Sequence, residues 1–347
     1  MRLAAGVGTA ICAVLLLLVS AFTLRTQDDE PKLDRAIWSA YLDRFFQSGR
    51  IVDTDNQGIS HSESQGYGLL LAEAFDDRQS FDAILAWTHS NLMRGDGLLS
   101  WRWEPDSGVT DANNATDGDI LVAWALLRAS NRWEAAEYRA LAVAHLEAIE
   151  MHLLFDYRQQ VLLLPGLDGF VRPDRYIVNP SYWVFPALDA FAELRPDEPW
   201  KEVITSGEWL LQSTTNGPVG LTSDWVEVSQ SRVKPAVEFP SRFSWDAIRV
   251  PLYLAWGKPR EELLQPFRSN WAARFENETL PAWIDTADGS QADYPAPAGI
   301  MAIANVLNGQ CLTQDPAVAV SDSYYSSTLY LLSLLAATDA GLICQVD

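Results

Sequence analysis

The chain is 347 residues long, 48% of them hydrophobic, and carries a formal net charge of −21 from 46 acidic against 25 basic side chains. That composition supports a packed globular core. The charge excludes nucleic acid and anionic membranes as partners, because both demand clustered cations, and leaves a neutral or cationic partner.

The N-terminus opens with Met1-Arg2-Leu3, continues as an apolar run from Ala4 to about Leu24 and turns polar from Arg25. Residues 1–24 read as an export signal, with Val19-Ser20-Ala21 suited to cleavage after Ala21, or as a membrane anchor if they are retained. Either way the remainder is expected in the periplasm or outside the cell. Cys12 falls in this leader, and Cys311 and Cys344 follow it; the latter two either pair in an oxidising compartment or stay as buried thiols.

Beyond the leader, apolar residues recur at helical spacing between short Gly, Pro, Asn and Asp clusters. The spacing predicts helices over Asp34–Phe46, Gln65–Phe75, Arg78–Leu92, Asp117–Ala129, Trp133–Met151 and Pro180–Glu193. Further helices are expected over Pro199–Gln212, Trp245–Ala255, Arg260–Glu276, Pro297–Val306 and Pro316–Thr338. Alternating patches at Gly97–Trp103, Val161–Pro165 and Leu221–Val228 are expected as strands carried in loops. About eleven or twelve helices with few strands and no linker point to one all-α domain built from helical hairpins.

Three segments set carboxylates among small, polar and aromatic residues. The first, Ser60-His61-Ser62-Glu63-Ser64-Gln65-Gly66-Tyr67-Gly68, opens into an apolar helix, and Glu63 there is either a capping residue or a chemical one. The second is Asn113-Asn114-Ala115-Thr116-Asp117-Gly118-Asp119, again at a helix start. Its Asp-Gly-Asp begins like a calcium loop, but Leu, Val and Ala occupy the later ligand positions, and the four histidines show no ligand spacing. No metal and no cofactor is expected. The third, Phe243-Ser244-Trp245-Asp246-Ala247-Ile248-Arg249, holds Asp246 and Arg249 three apart, which an ordinary ion pair would also explain. Among the 14 Trp, those in loops beside acidic residues, Trp101, Trp103, Trp225 and Trp283, offer flat faces to sugar rings.

In this order the motifs resemble glycoside hydrolase family 8, across roughly residues 33 to 340, which the likeness assigns as the catalytic domain. Ser62-Glu63-Ser64-Gln65-Gly66-Tyr67-Gly68 is similar to the family's acid motif, with Ser64 where Gly is usual. Ala115 through Trp133 is similar to its Asp-containing signature, with Val122 where Ile or Met is usual, and Trp245 to Val250 and Asn179 to Tyr182 also look like family segments. Within the family, the likeness is nearest to the periplasmic endoglucanases that accompany bacterial cellulose synthase.

The resemblance implies an (α/α)6 barrel with short β-hairpins in its loops, and hydrolysis of internal β-1,4-glucosidic bonds with inversion. Such chemistry needs a protonated carboxyl to donate to the leaving oxygen and an ionised one to activate water, about 6.5–9.5 Å apart. Glu63 would be the acid and Asp246 the base, with Asp117 at the cleavage point as the rival for that second role. Tyr67, Trp101, Trp103, Asp119, Tyr182 and Arg249 would contact or position the sugar. The expected partners are a β-1,4-glucan and, as the resemblance implies, the cellulose synthase export machinery, and a monomer is expected. A family relative acting on chitosan, xylan or mixed-linkage glucan, a non-catalytic glucan-binding protein on the same fold and a structural partner of an export complex are the rival readings.

Overall fold

The computed structural model describes residues 33–230, 232–275 and 279–343. The expected leader, its cleavage point, Cys12 and Cys344 lie outside the described residues. Cys311 is disulfide-bonded, and next to it Leu312 pairs with Ile343.

Among the described residues the chain runs through twelve helices. They are α1 (Arg35–Phe45), α2 (Ser62–Ala74), α3 (Arg78–Asn91), α4 (Thr116–Arg132), α5 (Ala136–His152) and α6 (Phe185–Leu194). After them come α7 (Trp200–Thr215), α8 (Arg249–Ala255), α9 (Glu261–Arg274), α10 (Ala298–Leu307), α11 (Pro316–Ala319) and α12 (Tyr324–Asp339). The even-numbered helices contact one another in sequence, and α12 returns to α2, closing an inner ring. Five odd-numbered helices each pack on an inner neighbour: α3 on α2, α5 on α4, α7 on α6, α9 on α8 and α11 on α10. The first, α1, reaches the last: Tyr41 shares a 2.9 Å hydrogen bond with Thr328, and Phe45 meets Tyr324 edge-on. This is an (α/α)6 barrel.

Side-chain pattern decides which helix goes where. α2, α4 and α12 are buried almost all round, as helices apolar on every side must be. α1 buries only Ile37, Trp38, Tyr41 and Phe45, one stripe of an amphipathic surface helix. Glycines let the inner helices approach. A Cβ on Gly66 would lie 2.5 Å from the Leu121 Cβ, and one on Gly118 would lie 2.8 Å from the Glu63 amide nitrogen. The N-terminal ends of α2 and α4 are therefore in backbone contact.

A three-stranded antiparallel sheet of Ser60–His61, Ser100–Glu104 and Gly108–Asn114 holds those two ends together. Its first strand runs straight into α2, and its last ends one residue before Ala115, where α4 is capped. Of the third expected strand patch, Leu221–Val228, only the end is strand: Val226–Ser229 is the centre of another sheet, flanked by Arg175–Val178 and Val233–Pro235, neither of which periodicity revealed.

Two expected helices are each broken. Pro180–Tyr182 is a single 3₁₀ turn and α6 starts only at Phe185, with Pro186, which has no N–H to donate, in its first turn. The segment over 316–338 divides because the Ser323 side chain accepts from the Ser326 N–H and starts α12 afresh. A third helix, expected from Trp245, begins at Arg249. The backbone N–H groups of Ser244, Asp246 and Ala247 bond instead to the Asp224 carboxylate. Asp246 thus sits in a turn ahead of α8. No helix among the described residues is long and apolar enough to cross a membrane.

Candidate active site

The N-terminal ends of α2, α4 and α12 and the turn before α8 border one cleft of about 780 Å³. Glu63, Asp117, Asp246, Trp101 and Tyr182 line it, with Asp53, Asp55, Asn56, His61, Ser62, Trp245 and Tyr325. Helix N-termini favour anions, so carboxylates in these first turns meet a complementary field.

Arg249 organises the site from beneath. Its side chain is 1% exposed, and its Nη1 donates to Glu63 Oε1, to Asp117 Oδ2 at 3.0 Å and to the Tyr67 hydroxyl at 2.9 Å. Its Nη2 donates to Asp246 Oδ1 at 2.9 Å and to Ser181 Oγ at 2.8 Å. One guanidinium thus holds all three carboxylates. Glu63 and Asp246 are 20% and 30% exposed, whereas Asp117 is 2% exposed, so the first two present an oxygen surface to whatever enters.

Glu63 also accepts from the Tyr67 hydroxyl at 2.7 Å. His61 caps α2 by accepting from the Ser64 N–H at 3.1 Å, while Ser64 Oγ takes the His61 N–H at 3.0 Å. The residue standing where the family usually has Gly thus completes a reciprocal cap around the Glu63 turn. Burial pushes Asp117 up to about 6, with the charge of Glu63 adding and Arg249 opposing. Burial also pushes Asp246 up to about 7; Arg249 opposes, and Asp224, Glu63 and Asp117 add.

Four of the expected substrate contacts are not among the cleft-lining residues: Tyr67 and Arg249, which are buried and bonded to the site carboxylates, and Asp119 and Trp103. Asp119 has no exposed surface, and its oxygens accept from the Leu99 N–H at 2.8 Å and the Asn114 amide at 2.9 Å. It ties α4 to the neighbouring sheet, and burial pushes its carboxyl up to about 8. Trp103 packs edge-on against Trp87 with the Arg50 guanidinium over its ring, and it is not among the cleft-lining residues. Tyr67 is buried and reaches the cleft through Glu63. Of the other loop Trp, Trp225 stacks between Phe170 and Phe239 and meets Tyr182 edge-on, while Trp283 lies under Arg242. Among the cleft residues outside the expected set are Trp245, 57% exposed, and Tyr325, whose hydroxyl donates to the Trp245 carbonyl at 2.5 Å. The Tyr324-Tyr325 pair after a polar Ser321-Asp322-Ser323 break was the available signal for the second.

Two part-exposed carboxylates and a buried third on one guanidinium, with aromatic rings beside them, can support a two-carboxylate hydrolysis of a sugar polymer. The family model of glycosyl hydrolases family 8 matches residues 10–339. The chain belongs to glycosyl hydrolases family 8. This family 8 hydrolase is 38% identical over 280 residues to an endoglucanase of Cellulomonas uda, covering 79% of this chain and 78% of that one. It is 36% identical over 318 residues to a probable endoglucanase of Novacetimonas hansenii, covering 89% and 92%. Among solved structures it is similar to a family 8 endo-β-1,4-glucanase from an Achatina fulica gut metagenomic library, with TM-score 0.83 and 38% identity over 87% of this chain and 97% of that one. It is a glycoside hydrolase.

Proposed function

We propose that this family 8 hydrolase is an endo-β-1,4-glucanase that cuts internal bonds with inversion. The observation that carries this reading is the grouping of Glu63 and Asp246 on one buried guanidinium, both open to a cleft bordered by Trp101, Tyr182 and Trp245. Glu63 donates its proton to the leaving glycosidic oxygen, and Asp246 takes a proton from the water that attacks the anomeric carbon from the other face. Asp117, almost without exposed surface, holds Arg249 and the sugar at the cleavage point. The endoglucanase names of the relatives support the glucan as substrate.

The test is reducing-sugar release from carboxymethylcellulose by the wild type, Glu63→Gln and Asp246→Asn. Losing a general acid or base costs about 10²–10⁴-fold, so both variants should fall by at least about 100-fold. The first-formed anomer, followed by NMR, should be α. Retention of the β anomer would overturn inversion, and full turnover by either variant would overturn its assignment. Asp53 and Asp55 add negative charge to the same cleft, which favours a cationic polymer as second substrate, so chitosan is the comparison to run in parallel.

The apolar leader supports export to the periplasm or beyond, and a monomer acting beside the cellulose export machinery follows from the same reading. Activity confined to the cytosolic fraction after osmotic shock would count against it.

A further inference from the structure

The Asp224 side chain is not among the cleft-lining residues, is 9% exposed, and accepts all its hydrogen bonds from the turn that carries Asp246. Its Oδ1 takes the backbone N–H of Ser244 at 2.9 Å, of Asp246 at 3.2 Å and of Ala247 at 2.8 Å, and its Oδ2 takes the Ser244 hydroxyl. Three N–H groups converging on one oxygen are what the open start of a helix offers, and an anion answers them best. The backbone of Asp224 is itself anchored, its N–H bonded to the Arg242 carbonyl at 2.7 Å. In the same turn, the Trp245 carbonyl accepts from the Tyr325 hydroxyl.

We propose that Asp224 is a positioning residue for the catalytic base: its carboxylate gathers the backbone N–H groups and the Ser244 hydroxyl of the turn that presents Asp246, and so fixes that turn. This rests on the reading of Asp246 as base.

The groups facing Asp246 are Arg249 from α8, Asp224, Glu63 from α2 and Asp117 from α4, together with the hydroxyls of Tyr182 and Tyr325. Arg249 favours the ionised form and the three carboxylates disfavour it. A carboxylate that holds its proton more tightly is a stronger base once ionised. Arg249 therefore keeps Asp246 ionised, while Asp224 strengthens it. An amide at position 224 could accept some of the same N–H groups and would supply none of that second effect.

Asp224→Asn separates the two contributions. On a cello-oligosaccharide its kcat should fall by about 10-fold with KM within about twofold of wild type. The acid limb of kcat/KM should move to lower pH, because the like charge no longer holds the proton on Asp246. A limb left in place, or unaltered kcat in the folded variant, would overturn the proposal. Should that variant fail to fold, Ser244→Ala removes only the hydroxyl bond to Oδ2. Weaker support for the Asp224 charge should then lower kcat by about threefold and shift the limb in the same direction. Wild-type behaviour of Ser244→Ala would equally overturn it. Asp246→Asn runs alongside: if it alone turns over at the wild-type rate, the base assignment has failed, whatever Asp224 does.

Discussion

Arg249 reaches the three site carboxylates through two nitrogens, a task that needs the planar fork of a guanidinium. Arg249→Lys keeps a charge but can satisfy only part of that geometry. Misplacing reacting groups by about 1 Å costs on the order of 10²-fold, and kcat on cello-oligosaccharides should fall by about that much while the fold survives. Titration carries a second expectation. Asp246, pushed up to about 7, is ionised above that pH and protonated below it, and only the ionised form accepts a proton. The acid limb of kcat/KM should therefore lie well above the usual carboxylate range, toward pH 7; a limb near pH 4 would show that burial does not hold the proton on Asp246. At this scale the sequence was partly readable. Glu63, Asp117 and Asp246 stand in recognisable motifs, but residues two apart on a helix face away from each other, so Asp117 and Asp119 could not both meet one sugar. Asp224 was not readable, because its partners are mainly backbone N–H groups about twenty positions on, and no side-chain pattern records them.

The elements matter here for how closely they meet. Gly118 lets the first turn of α4 touch the first turn of α2. Gly118→Ala would set a methyl 2.8 Å from the Glu63 amide nitrogen, with backbone that cannot swing aside. Overpacking of this kind costs about 1–3 kcal/mol, so Tm should drop. Activity should drop further than Tm explains, because the displaced turn carries Glu63, proposed here as the acid. Most helices were legible because periodicity survives in long segments, and the inner helices differ from the outer in being apolar all round. The break at Trp183–Val184 was hidden, since the residues on either side stay buried and the apolar rhythm continues across it, whereas the polar Ser321-Asp322-Ser323 marks the second break in the sequence itself. The sheet beside α2 and α4 was half hidden, as Gly108–Asn114 is mostly polar and exposed and owes its conformation to its neighbour.

At the scale of the whole molecule, the net charge of −21 is matched locally by a cleft lined with Asp53, Asp55, Glu63, Asp117 and Asp246. Carboxymethylcellulose is itself a polyanion. Raising ionic strength from about 10 to 150 mM shortens the screening length from about 30 to 8 Å, and should lower KM for that polymer severalfold. KM for a neutral cello-oligosaccharide should not move; an equal fall for both would show that salt acts elsewhere. The barrel also has a seam. The bond from Tyr41 to Thr328 joins positions 287 apart, and α2, which carries Glu63, borders the last helix of the ring. Among the described helices, the first two therefore complete their packing only when the last is in place: α2 already has α3 and α4 against it, but its contact with α12, and the Tyr41 and Phe45 contacts of α1, wait for the end of the ring.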